Sequence, residues 1–108
     1  MKRQTDKGGR VIWLAGLPLK LNYSVNSLCA MEKQAGMPLD ELMKHHFSAT
    51  RLLLWAGLYP GYPGLTVWDA GELISKHLQR GGTLDEVVTF CADALRASGL
   101  LEGDGEEA

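Results

Sequence analysis

The sequence predicts a mainly α domain, with an N-terminal β-hairpin packed on a compact bundle of four or five short helices. Apolar residues alternate with period two from Arg10 to Tyr23, then recur at helical spacing. Capping signals stand where each helical pattern restarts: Ser24, Thr66 with Asp69, and Thr83 with Glu86. The chain has 108 residues, the size of one domain. A chain of that length buries roughly two-thirds of its unfolded surface, enough for a core without disulfides or metal.

Residues 1–9 are polar and glycine-containing and are expected to be loose. The globular domain is expected to span residues 10–100, with 101–108 a disordered acidic tail. In the hairpin, Val11, Trp13 and Ala15 share one face and Ile12 and Leu14 the other, and Gly16 offers the turn. Pro18 assigns the second strand to a sheet edge. Ser24 caps a first helix with Val25, Leu28, Cys29, Glu32 and Ala35 on its apolar stripe, ended by Gly36. Pro38 starts a short helix in its first turn, with Asp40 and Glu41 at the positive end of its dipole.

Ser48 is read as the cap of a third helix, from Ala49 to about Leu58. Its run Leu52-Leu53-Leu54-Trp55-Ala56 is apolar on every side, the mark of a buried central helix, and makes Trp55 a structural anchor. Tyr59-Pro60-Gly61-Tyr62-Pro63-Gly64 ends it in a stiff loop. In the next helix Trp68 or Val67, with Gly71, Ile74 and Leu78, faces inward. Gly81-Gly82 separates it from a last helix with Leu84, Val87, Val88, Cys91 and Leu95 on its stripe and Gly99 at its end.

Composition narrows the function classes. The net charge is −2, from 11 basic and 13 acidic side chains, without the basic cluster that phosphate contacts require. A small regulatory DNA-binding module, with the last two helices as a helix-turn-helix, is a further alternative, opposed by a second helix that begins Thr83-Leu84-Asp85-Glu86, whose carboxylates repel phosphate. Cys29 and Cys91 read as buried thiols in a reducing compartment. The apolar run from Val11 to Leu17 imitates a signal peptide, but Asp6, Gly8-Gly9 and Pro18 interrupt the pattern. The longest apolar stretch, Leu52 to Leu58, is far shorter than the roughly 20 residues of a membrane helix. The expected location is the cytoplasm, with neither nucleic acid nor membrane as partner.

No nucleophile–base pair, phosphate loop or metal-ligand spacing is visible, so no catalytic activity, cofactor or metal is expected. His45 and His46 are neighbours, which on a helix point about 100° apart; His77 stands alone. Three features exceed an ordinary core. Glu32 on an apolar stripe requires a partner such as Arg51 and reads as a structural anchor. The first strand is apolar on both faces, so Ile12, Trp13 and Leu14 are candidates for a partner or subunit contact as well as for burial. Tyr59, Tyr62 and Trp68 either pin the loop to the core or, for Tyr59 and Tyr62, offer a second partner contact.

The stretch Leu19-Lys20-Leu21-Asn22-Tyr23-Ser24-Val25-Asn26-Ser27-Leu28-Cys29-Ala30-Met31-Glu32-Lys33-Gln34-Ala35-Gly36 resembles the opening of the tail assembly chaperones of long-tailed bacteriophages and gene transfer agents. So do the apolar helix Arg51 to Leu58 and the threonine-capped helix containing Asp69-Ala70-Gly71-Glu72-Leu73-Ile74. The resemblance spans roughly residues 10 to 98, and its motifs are structural rather than chemical. It implies a non-catalytic factor of virion assembly, of phage or prophage origin, which acts in the host cytoplasm. Such a factor coats the tape measure protein and helps recruit tail tube subunits. A structural protein of the phage neck or tail is the alternative, and homo-oligomers fit either reading.

Overall fold

A computed structural model describes residues 9–100. The loose segment expected at 1–9, apart from Gly9, and the acidic tail at 101–108 lie outside the described residues. The period-two run forms β1 (Arg10–Leu14) and β2 (Leu17–Leu21), followed by α1 (Val25–Ala35), α2 (Leu39–Leu42), α3 (His46–Leu58), α4 (Val67–Gln79) and α5 (Leu84–Ser98). The strands pair antiparallel with Ile12 opposite Leu19 and Trp13 opposite Pro18. Both loop residues have positive φ, 54° at Ala15 and 79° at Gly16, as a type I′ hairpin turn requires.

α3 is the centre of the domain. Its residues from Leu52 to Leu58 are all buried, and β2, α1, α4 and α5 pack around it. The helix begins earlier than Ser48. The Ala49 N–H already donates to the His45 carbonyl at 2.7 Å, so the first turn closes at His46 and Ser48 lies inside it. Likewise Pro38 is the residue before α2, in an extended conformation, rather than part of its first turn. The predicted caps of the other helices form. Ser24, Thr66 and Thr83 each accept from the backbone N–H three residues on, and the side chain at that third residue returns the bond. Gly36 and Gly99 close α1 and α5 in left-handed conformation.

The buried stripe of α1 runs through Ser27 and Met31, flanked by the half-buried Leu28, Ala30 and Ala35. It is therefore rotated from the stripe read in sequence, and Val25, Cys29 and Glu32 face solvent. The cause is the capping box. The Ser27 hydroxyl accepts from the Ser24 N–H and donates to the Ser24 carbonyl, so a polar side chain enters the core with its bonds made. Glu32, being exposed, needs no counter-charge and is not an anchor. Cys91 alone of the two cysteines is buried.

The hairpin is fastened to α3 through the segment that leaves β2. The Asn22 N–H donates to the Gly57 carbonyl at 2.8 Å, and the Tyr23 hydroxyl donates to the Leu53 carbonyl one turn away. A Cβ on Gly57 would lie 2.7 Å from Tyr23 Cζ and 2.8 Å from Leu21 Cδ2. The close approach thus depends on glycine. Gly57→Ala should lose about 1–3 kcal/mol to overpacking despite alanine's better helix propensity. That loss is a fall of roughly 4–8 °C in Tm per kcal/mol. Gly64→Ala, with open space at its Cβ, should change Tm little, and Ala15→Asn, which suits the left-handed turn position, should raise it. Thermal melts followed by circular dichroism check all three.

Candidate protein-binding surfaces

The structure separates the sequence-predicted site residues. Ile12 and Leu14 are core residues, at 6% and 0% exposure, because their face of the hairpin lies on the helices. They are therefore corrected from partner-contact candidates to packing residues. Trp13, on the opposite face, is 65% exposed, as is Val11 at 61%. Tyr59 stacks on Trp55 with ring centroids 4.6 Å apart, and the Tyr62 hydroxyl accepts from the Lys20 N–H at 3.3 Å. Both tyrosines are half-buried and hold the Pro-Gly loop against the core. Trp55 is buried and donates through Nε1 to the Leu65 carbonyl, which completes the pinning. Trp68 points outward, and Val67 takes the inward position.

The titratable groups are arranged for structure. Burial, and then the neighbouring Cys91 thiol, raise the Tyr23 hydroxyl well above its ordinary value. Burial likewise pushes the Cys91 thiol up to about 12, so it stays protonated and unreactive at neutral pH. His77 is not isolated. Its Nε2 lies 2.8 Å from Glu86 Oε1, which also accepts from the Thr83 N–H at 3.0 Å. Gly82 leaves room for the ring, since a Cβ there would collide with His77 Nε2. The pair joins the end of α4 to the start of α5, so it is a clasp between helices. Among the described residues, no three His, Cys, Asp or Glu side chains approach closely enough to hold a metal ion. No helix among them is long and apolar enough to cross a membrane.

Sequence reasoning missed two surface grooves, because each is assembled from elements distant in the chain. The first is almost wholly apolar. Leu28 and Met31 come from α1, Leu39 and Met43 from α2 and its end, Leu53 from α3, and Val88, Ala92 and Leu95 from α5. Its volume is about 200 Å³, with Arg96 at one side. That is small for a cofactor and suits a few aliphatic side chains projecting from a helix. The two methionines give it an adaptable wall. The second groove, about 220 Å³, lies between α3 and α4 and is lined by Arg51 and the exposed Phe47. Its Nε is buried without a hydrogen-bond partner among the described residues. The only sequence signal for the first groove was the pair of methionines, 12 positions apart on different helices.

No protein-family model, curated protein or solved structure matches the chain.

The Glu86 carboxyl is held below the ordinary value of 4.5, first by the Thr83 N–H and then by His77. A depressed folded value contributes stability that is present above the ordinary value and lost as pH falls through the folded one. Tm should therefore decline on acidification below about pH 4.5, partly through this site. Glu86→Gln, which keeps an acceptor but no charge, should lower Tm at neutral pH and flatten the acid limb of the curve. Melts across a pH series measure both effects.

Proposed function

We propose that this protein is a non-catalytic assembly chaperone that holds an apolar α-helical segment of another protein. The observation that carries the reading is the groove between α1, α2, α3 and α5, apolar along its walls and open to solvent. An amphipathic or apolar helix binds such a groove through side chains at i, i+3, i+4 and i+7. Burying them stabilises the complex by about 25 cal/mol for each Å² of apolar surface removed from water. The methionine-containing wall can repack around helices of differing sequence, as a chaperone of a long helical client requires.

The resemblance to phage tail assembly chaperones gives the client its chemistry. The tape measure protein is a long hydrophobic helix that must stay soluble until tail tube subunits arrive. The proposed site of action is the host cytoplasm during virion assembly. A second reading, a structural protein of the neck or tail, predicts lasting incorporation into the particle instead of release.

Met43, 47% exposed at the rim of the groove, provides the test. Met43→Glu should leave circular dichroism and Tm nearly unchanged, because the side chain is outside the core. It should also weaken capture of a co-expressed tape measure segment at least tenfold, the effect of placing a charge against a buried apolar contact. Undiminished capture by the folded variant would exclude this groove. Failure of the wild type to bind any tape measure segment would exclude the chaperone reading.

A further inference from the structure

We propose that two copies of this chain join along their β1 strands, forming a four-stranded antiparallel sheet across a two-fold axis at Ile12. The observation is an asymmetry between the two edges of the hairpin. In a hairpin with a two-residue turn, Leu14 and Leu17 form the first hydrogen-bonded pair. The pairs Ile12–Leu19 and Arg10–Leu21 follow, so the N–H and C=O groups of residues 11, 13, 18 and 20 point away from the ladder.

The β2 edge is closed. Pro18 has no N–H, the Lys20 N–H donates to the Tyr62 hydroxyl, and just beyond the strand the Asn22 N–H donates to Gly57. Among the described residues the β1 edge is open. The N–H and C=O groups of Val11 and Trp13 have no hydrogen bond to another described residue. Proteins guard such edges with proline, charged side chains or a bulge. β1 reads Arg-Val-Ile-Trp-Leu, whose one charge, Arg10, is at the end of the strand, and its solvent face shows Val11 and Trp13.

A second copy fits this edge in one register. Placing Ile12 opposite Ile12 of the other copy sets Val11 opposite Trp13, twice. Those two hydrogen-bonded pairs use all four outward N–H groups and all four outward carbonyls. On the exposed face, each Trp13 ring lies beside the Val11 of the other copy, an aromatic–β-branched pair that covers both side chains at once. The charges agree with the register. Each Arg10 stands opposite a Leu14, and the two Arg10 residues are about 13 Å apart along the seam, beyond the screening length at physiological salt. A groove of about 300 Å³ beside β1, flanked by Phe90 and Asp93, leaves space along the strand. A seam of five residues per copy is at the small end of interfaces, so the dimer is a weak, concentration-dependent one.

Sedimentation equilibrium of the full chain over a concentration series tests this. The weight-average mass should climb from monomer towards dimer. Val11→Pro removes an outward N–H and no rung of the β1–β2 ladder; Trp13→Lys places a charge on the exposed face. Each should keep the native circular dichroism spectrum and shift the equilibrium at least tenfold towards monomer. In a mixture of labelled and unlabelled chains, intermolecular nuclear Overhauser effects should connect Val11 methyls with the Trp13 indole. Met43→Glu should dimerise like the wild type, since its groove lies on other elements. A wild type that stays monomeric to millimolar concentration overturns the proposal, whether the edge then takes residues 1–8 or an extended segment of another protein. So does a dimer that forms equally well in both strand variants, or that lacks the Val11–Trp13 contacts.

Discussion

Everything in this fold hangs on the place where the chain leaving β2 lies flat against α3 at Gly57. A two-stranded hairpin is marginal in water, and this one has no third strand among the described residues. Its stability comes from laying Ile12, Leu14 and Leu21 on the helices, and the approach needed for that leaves no room for a Cβ at Gly57. The same contact settles the end of α3. Helices end with carbonyls that lack an internal donor, and the Gly57 carbonyl finds one in the Asn22 N–H. One glycine therefore lets the hairpin approach and lets the buried helix end among apolar neighbours.

From that seam the rest of the layout follows. With its hairpin side fixed, α3 offers its remaining sides to α1, α4 and α5, consistent with its lack of a polar face. Tyr59 then stacks on Trp55 of α3 while the Tyr62 hydroxyl reaches Lys20, which holds the Pro-Gly loop in place and closes the β2 edge. Two of the apolar surfaces among the described residues, the groove beside α2 and the free side of β1, lie on different elements. The proposed client and the proposed second copy can thus be held together without competing for the same residues.

Most of the fold was legible in the sequence, because capping and periodicity are local signals. The Ser24 cap, the capping boxes at Thr66 and Thr83, the glycine stops and the all-apolar centre of α3 stand where the residues put them. Misreadings arose where apolar spacing does not show a side chain's partner. The Ser27 hydroxyl is bonded to Ser24 and enters the core, so the inner face of α1 is turned and Cys29 and Glu32 are exposed. His77 read as solitary because Glu86 is in the next helix, across a glycine turn. The candidate site was far less legible. Of the five proposed partner residues Trp13 is exposed, Ile12 and Leu14 are interior, and Tyr59 and Tyr62 are half-buried against the core. The apolar groove has no sequence motif, since four helices contribute to it.

On these contacts hairpin and central helix form one cooperative unit joined at Gly57. Amide hydrogen exchange at Asn22 tests it most directly. If the seam holds as described, the Asn22 N–H exchanges only through global unfolding, with the same opening free energy as the buried amides of α3. Exchange at Asn22 and along β2 by a local opening of lower free energy, while α3 stays protected, would contradict the account.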